Sequence, residues 1–407
     1  MKKSTSTTLI ICIIGLLPFV MVVGNSMFIP IIPDIQHELR LTTVESGLIL
    51  TVFSIPAALM IPIIGFISDR VGRKKVVLVS LLFIMLGSIM SAVAPLLLDG
   101  QAAFSLLLFG RFFQGVGAGG TAPMAMAMAG DLFEGKERSK ALGTVEVFNS
   151  LGKVISPIIG ASIAVFLWVG TFWIYFFLAF LAYFGIKISI NERVREKKAF
   201  SVKDYRRSVI TIILREFKWL IPIFIASGVG MLLLFGLMFF MSYYFEESYG
   251  IYGIQKGIYL AFPLIALTIF SYWTGNKLGG NSNKVKQFLL LGLSILFISF
   301  ALLIFFHGLL GLLVLITLVS VGLGFFLPAA NTAVTSSVGI HERGLVVSLY
   351  SMIRFLGVAF GPITFSVFMN EPMELFFLSF FFVGVSFVIL ISSWTCIPIL
   401  KECNPTI

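Results

Sequence analysis

The sequence predicts an all-α integral membrane protein, with twelve transmembrane helices in two pseudo-symmetric six-helix bundles. Three observations carry this expectation. The 407 residues are 58% hydrophobic and only 12% charged, whereas soluble domains carry about 25% charge. The apolar residues gather into twelve runs, each near or above the roughly 20 residues that cross about 30 Å of hydrocarbon. Features of the first half also return in the second at an offset of 205 to 207 residues. No water-soluble core could hide 43 phenylalanines, but lipid accepts apolar side chains on a protein's outer face.

The runs follow in order. Lys2 and Lys3 precede the first, 9–33. It has the length of a spanning helix and no small-residue cleavage site, so it is not expected to be a signal peptide. The next five are 46–67, 76–98, 103–129, 141–167 and 169–188. A second set covers 219–244, 254–274, 287–307, 309–333, 345–368 and 373–397. The expected organisation is a bundle over 1–190, a basic cytoplasmic connection over 191–218 and a second bundle over 219–400.

Orientation follows from the basic residues. With the N-terminus inside, 24 lysines and arginines fall in cytoplasmic loops and ends, against Arg40 and Lys256 outside. That bias places both termini in the cytoplasm. It also accounts for the net charge of +10 without nucleic acid as a partner. Residues 191–218 could touch anionic headgroups. The expected partners are the lipid bilayer and a small organic substrate. Cys12, Cys396 and Cys403 lack metal-ligand spacing. There is no phosphate-binding Gly-x-x-x-x-Gly-Lys-[Ser/Thr] loop, so direct ATP use is not expected. No metal, cofactor or enzymatic chemistry is implied.

The repeats concern small and turn-forming residues. Gly115-Val116-Gly117 in the fourth run is echoed by Gly322-Leu323-Gly324 in the tenth. Asp69-Arg70-Val71-Gly72 after the second is echoed by Asn276-Lys277-Leu278-Gly279 after the eighth. Gly152 with Ser156-Pro157 in the fifth is echoed by Gly357 with Gly361-Pro362 in the eleventh. Two related halves suit alternating access, in which they rock about a central site.

Four motifs make the sequence similar to the major facilitator superfamily over essentially its whole length. Gly65-Phe66-Ile67-Ser68-Asp69-Arg70-Val71-Gly72-Arg73-Lys74-Lys75 matches that family's Gly-x-x-x-Asp-Arg-x-Gly-Arg-Arg/Lys loop. Arg111-Phe112-Phe113-Gln114-Gly115 resembles its Arg-x-x-Gln-Gly motif. The run from Gly152 through Ser156, Pro157 and Gly160 to Ala161 resembles the antiporter motif Gly-x-x-x-Gly-Pro-x-x-Gly-Gly, with Ser156 and Ala161 in place of two glycines. Pro30 and Pro33 resemble the Pro-x-x-Pro of the twelve-helix drug:proton antiporters. The resemblance implies a proton-coupled antiporter in a bacterial inner membrane. It would export a drug, siderophore or metabolite, from a cavity between spans 1, 4, 5, 7, 10 and 11. The alternative is an ion-coupled importer of a small anionic or zwitterionic metabolite. With both halves present, the chain is expected to work as a monomer.

Candidate site residues follow. Gly65, Asp69, Arg70, Gly72 and Arg73 form an interfacial loop, read as a latch between the halves. Arg111 lies about 12 Å inside the fourth run; a buried arginine stays charged and needs a partner, and the resemblance implies a part in proton coupling. Glu146, Asn149, Lys153, Pro157 and Gly160 recur at helical spacing and form a polar and small stripe. Glu146 and Lys153 stand about 10.5 Å apart along the axis, too far to pair. Either could carry a proton if burial shifted it, and Glu146 is the favoured carrier. Asn25, Gln114, Asn149, Lys153 and Arg354 are the expected cavity residues. Asn25 stands where several drug antiporters hold a carboxylate. Asp34 is read as an outer helix-end or gate charge, and Tyr243, Tyr244, Glu246 and Glu247 as outer anchors or a gate.

If the loop is a latch, Asp69→Asn should lower turnover more than expression. Normal transport at normal expression, measured in vesicles, would refute the latch.

Overall fold

The computed structural model describes residues 7–190, 202–278, 282–305, 308–336, 338 and 340–393. Its regular structure is helical throughout. Twelve helical spans among the described residues are long and apolar enough to cross a membrane.

In chain order the helices are α1 (Thr7–Ser26), α2 (Ile32–Leu39), α3 (Thr43–Val71), α4 (Arg73–Leu97), α5 (Gly100–Ala118), α6 (Ala122–Leu132) and α7 (Gly135–Ala164). Then come α8 (Gly170–Ser189), α9 (Val202–Tyr249), α10 (Gly253–Leu278), α11 (Ser282–Leu303), α12 (Leu309–Ser336), α13 (Ile340–Val367) and α14 (Pro372–Ser392).

Two expected spans are broken. The first comprises α1, a 3₁₀ turn at Ile29–Ile31 and α2. Pro30 and Pro33 lack the N–H that would continue an α-helical ladder, so the chain restarts there. The fourth is divided between α5 and α6 at Gly119–Thr121, where the N–H groups of Gly120 and Thr121 bond three residues back, to Gly117 and Ala118. Conversely, α9 begins at Val202, so 202–218 is helical where a connecting stretch was expected. Residues 191–201 lie outside the described residues.

The termini are built locally. Thr42 caps α3: its hydroxyl accepts the Glu45 N–H at 3.2 Å, and the Glu45 carboxylate accepts the Thr42 N–H at 2.8 Å. This reciprocal pair satisfies donors the first helical turn leaves free. Gly72, at φ +103°, turns the chain from α3 into α4, a conformation that disfavours a side chain.

α14 shows why water is not the solvent. Phe377, Phe381, Val385 and Val388 recur at helical spacing and are exposed; Phe376, Ser379, Val383, Ser386 and Leu390 form the buried face. A helix apolar on its outward stripe as well as its inward one belongs in lipid.

The chain folds as two compact units. One comprises the described residues of Met1–Ala199 together with Met241–Ala261; the other comprises those of Phe200–Phe240 and Phe262–Ile407. The ends of α9 and α10 that face each other along the chain therefore belong to the first unit. Within each unit, small residues set how closely helices approach, since hydrocarbon supplies no hydrophobic drive between helices. In the first, α7 crosses α1 where a Cβ on Gly160 would strike the Met27 carbonyl. In the second, α13 crosses α9 where a Cβ on Gly357 or Gly361 would strike the carbonyls of Gly228 or Leu232. The α4–α5 contact at Gly87 and Gly110 likewise has its counterpart at Gly292 and Gly322 between α11 and α12. Both units thus use close glycine contacts, but not always between the residues paired at the 205–207 offset: Gly115 meets the Phe53 carbonyl of α3, whereas Gly322 meets the Gly292 carbonyl of α11.

Gly110→Val should lose about 1–3 kcal/mol of stability from overpacking, because its Cβ would meet the Ser91 hydroxyl and the Gly87 carbonyl. Gly143→Ala meets nothing within 4 Å and should leave thermal unfolding in detergent unchanged. Equal midpoints for both variants would show that the α4–α5 contact is loose.

Candidate functional site

The first unit is organised around a buried cation. Arg111 on α5 is 0% exposed. Its Nε donates to the Ile49 carbonyl of α3 at 3.0 Å. Its Nη1 donates to the Gly24 carbonyl of α1 at 2.9 Å and to Gln114 Oε1 at 2.7 Å. Phe28 and Phe53 lie over the guanidinium, each ring centroid 4.4 Å from its central carbon. Two aromatic faces stabilise a desolvated cation electrostatically.

Gly24 offers its carbonyl for a local reason. As α1 gives way to the 3₁₀ turn, the Phe28 N–H bonds the Asn25 carbonyl instead of the one four residues back. The freed acceptor is taken by Arg111. The Pro-x-x-Pro break and the buried arginine are therefore parts of one arrangement. Gln114 extends the network, its Nε2 donating to Ser88 Oγ on α4 at 3.2 Å, and beside Gly24 the Asn25 Nδ2 donates to Ser54 Oγ on α3 at 3.1 Å. Arg111 Nη2, Asn25 Oδ1 and the Tyr175 hydroxyl on α8 are buried with no hydrogen-bond partner among the described residues.

The structure thus joins Arg111, Gln114 and Asn25 in the packed interior of one unit. It sets Glu146, Asn149 and Lys153 apart from them on α7. Glu146 is exposed; Asn149 and Lys153 are half-buried. The buried residues of α7 are Ala141, Val145, Gly152, Ser156, Pro157, Gly160 and Ala161. Gly152 packs on Phe19 and Val22 of α1, and Pro157 and Ala161 pack against Gly257 of α10. Ser156 turns its hydroxyl to the Gly152 carbonyl of its own helix, so serine fits where the motif has glycine. Arg354 belongs to the second unit. It lies 5.5 Å from the Tyr350 ring centroid, and Tyr350 accepts a bond from Ser227 at 3.2 Å.

The loop Gly65–Lys75 ties helix ends together inside the first unit. Arg73 pairs with Asp131 at the end of α6, at 3.0 Å. Lys74 Nζ donates to the carbonyls of Lys187 and Ile190 at the end of α8, at 2.9 and 2.5 Å. A cation there meets carbonyls the last helical turn leaves free. Arg70 lies 4.2 Å from the Phe66 ring centroid, and Ser68 Oγ donates to the Gly65 carbonyl at 2.8 Å. Asp69 is exposed; the arginine's carboxylate partner is Asp131.

Asp131 and Tyr175 were not legible as site residues. Tyr175 sits in an aromatic-rich helix where nothing in the sequence distinguishes it. Asp131 could have been found by asking which acid ends a span on the same side as Arg73. A further group lies at the end expected to face outward. Lys256 of α10 and Glu246 of α9 form a buried pair at 2.6 Å. Tyr243 donates to Gln36 of α2 and shares a hydrogen bond with Ser46 of α3 at 2.7 Å.

Comparison with known proteins bears on this arrangement. The model of the Major Facilitator Superfamily matches residues 14–362. The chain is 35% identical over 363 residues to the bacillibactin exporter of Bacillus subtilis (strain 168), covering 89% of this chain and 90% of that one. It is 26% identical to multidrug resistance protein 1 of the same organism, over 91% of this chain and 92% of the relative. A crystal structure of the human organic anion transporter MFSD10 (TETRAN) shares the fold with a TM-score of 0.72 at 16% identity, covering 95% of this chain and all of that one. A bacterial homologue of the human lysosomal transporter Spinster, inward-facing and unoccupied, gives 0.75 at 13%, covering 95% and 97%.

Arg111→Lys should not be conservative, because an ammonium cannot reproduce the guanidinium's fork and flat faces. Each charge-assisted bond lost is worth about 1.5–3 kcal/mol. The variant should unfold at lower temperature and transport at least about tenfold more slowly. Wild-type stability and transport in this variant would mean that Arg111 serves only as a point charge.

Proposed function

The chain belongs to the Major Facilitator Superfamily, and on that premise we propose that it is a proton-coupled antiporter that exports a small organic molecule by alternating access. Family membership makes it a small-molecule transporter rather than an enzyme. Export is supported chiefly by 35% identity to an exporter over 90% of that protein's length. The small-residue face of α7, from Gly152 to Gly160, supports the same direction through its likeness to the antiporter motif. Bacillibactin, the molecule named for that relative, is the first substrate to test, followed by other siderophores and lipophilic drugs.

In this reading the protein lies in a bacterial inner membrane with both termini cytoplasmic, and one chain suffices because it contains both halves. Arg111 stays charged throughout and holds α1, α3 and α5 in register. Glu146, exposed on α7, exchanges the proton. Asn149 and Lys153, farther along the same helix, meet substrate. The loop at Asp69–Arg73 latches the halves in one state of the cycle.

The test uses everted vesicles acidified inside. Addition of bacillibactin should alkalinise the lumen with the wild type and not with Glu146→Gln at equal expression. Alkalinisation that persists in the variant would dismiss Glu146 and keep the antiporter. Uptake of metabolite anions into whole cells, with no response to any siderophore or drug in vesicles, would replace export by import.

A further inference from the structure

The second unit holds a single charge at membrane depth. Across its apolar stretches, 219–240, 262–276, 288–303, 309–336, 344–367 and 375–392, Arg354 is the only charged residue. It lies on α13, about 16 Å from one end of the Arg343–Val367 span and about 20 Å from the other. A side chain rooted there cannot snorkel to either interface. Arginine stays protonated at any working pH, so its charge has to be answered inside the unit.

Its surroundings answer only part of that charge. Arg354 Nε is buried with no hydrogen-bond partner among the described residues, and no carboxylate pairs with it there. The Tyr350 ring lies beside it, its centroid 5.5 Å from the guanidinium carbon. Arg111 shows fuller compensation: three hydrogen bonds, two rings at 4.4 Å and a side chain enclosed on every side. Arg354 is half-buried instead, so part of it stays open to a bound molecule. The open part does not belong to the lipid stripe. Arg354 shares a side of α13 with Tyr350, Gly357 and Gly361, which pack on α9. The outward residues are Phe360 and Val367.

The frame around it is fixed. Tyr350 accepts the Ser227 hydroxyl at 3.2 Å, and its ring centroid lies 5.8 Å from that of Phe224 on α9. Backbone contacts at Gly357 and Gly361 hold α13 on α9 one and two turns farther along. A guanidinium on such a frame offers its Nε–H and the adjacent Nη–H as parallel donors, which match the two oxygens of a carboxylate or a similar oxyanion. A lipid phosphate stays at the interface, far from this depth, so the oxyanion has to arrive on a small molecule.

We propose that the second unit binds an organic anion at Arg354, the guanidinium holding its oxyanionic head beside Tyr350. The rest of the ligand meets a unit with no other charge at this depth, so its body is apolar. This deepens the export reading by naming the substrate class, and it rests on that reading for the claim that the bound anion is the molecule moved.

The test compares 1-naphthoate with its neutral counterpart 1-naphthamide on the purified full chain in detergent, with no ion gradient. Binding is read by scintillation proximity and stability by thermal unfolding. The anion should bind at least about tenfold more tightly than the amide and raise the unfolding midpoint. Arg354→Gln should weaken naphthoate binding at least about tenfold and leave the amide unchanged. Without ligand it should unfold at or above the wild-type midpoint, because it removes a charge the unit does not balance. Arg354→Lys keeps the charge but loses the fork, and its affinity for naphthoate should fall between the two. Equal binding of anion and amide, or binding of neither, overturns the proposal, as does naphthoate binding that survives Arg354→Gln. An Arg354→Gln protein that misfolds, or unfolds well below the wild type, overturns it too, since the charge would then be structural. Failure here leaves export of a neutral or cationic molecule standing, and a silent vesicle assay leaves the anion site standing.

Discussion

The first unit depends on one unusual constraint: a permanent positive charge is enclosed in an apolar interior, and its hydrogen-bond partners among the described residues contain no carboxylate. Arg111 instead collects two backbone carbonyls, one amide oxygen and two aromatic faces. Each is a partial charge, and each comes from a fixed position on a packed element. The cation is tolerable only while α1, α3 and α5 keep their places. The dependence runs in both directions, because the Gly24 carbonyl, freed where α1 breaks, would otherwise be buried without a donor. A lipid-embedded bundle has no hydrophobic force between its helices, and this network supplies part of what replaces it.

Close backbone approach supplies the rest. α7 meets α1 at Gly160, and α13 meets α9 at Gly357 and Gly361; in each case backbone lies where a side chain would begin. These contacts are rigid because a glycine seam leaves no slack.

Much of this was legible in the sequence, and what was not has a physical reason. Twelve spans and their all-helical character followed from apolar run lengths, which reflect the solvent. The breaks inside the first and fourth spans were less visible. Pro30 and Pro33 announce one, but Gly119 and Gly120 look like any small pair in a membrane helix. Arg111 was recognisable as a residue needing partners; that these would be carbonyls and phenylalanines was not, since any residue can offer a carbonyl. The stripe on α7 was read as one face. Its small members turned out to be buried against α1 and α10, while Glu146 is exposed. Helical spacing tells which residues share a side, not how wide the buried arc is. Lys256 was counted only as an outer loop charge, because a pairing with Glu246 across a turn depends on where α9 stops.

Coupling adds a requirement that packing alone does not meet. A ligand shifts a conformational equilibrium only by as much as its affinity differs between the two states. Arg111 cannot release a proton at any working pH, so it can hold the bundle but cannot report which side the carrier faces. A carboxylate in water on both sides of the transition would bind its proton equally in both and move nothing. The group must change its surroundings when the protein moves. Glu146, on the exposed side of α7, meets that condition only in a state that covers that face.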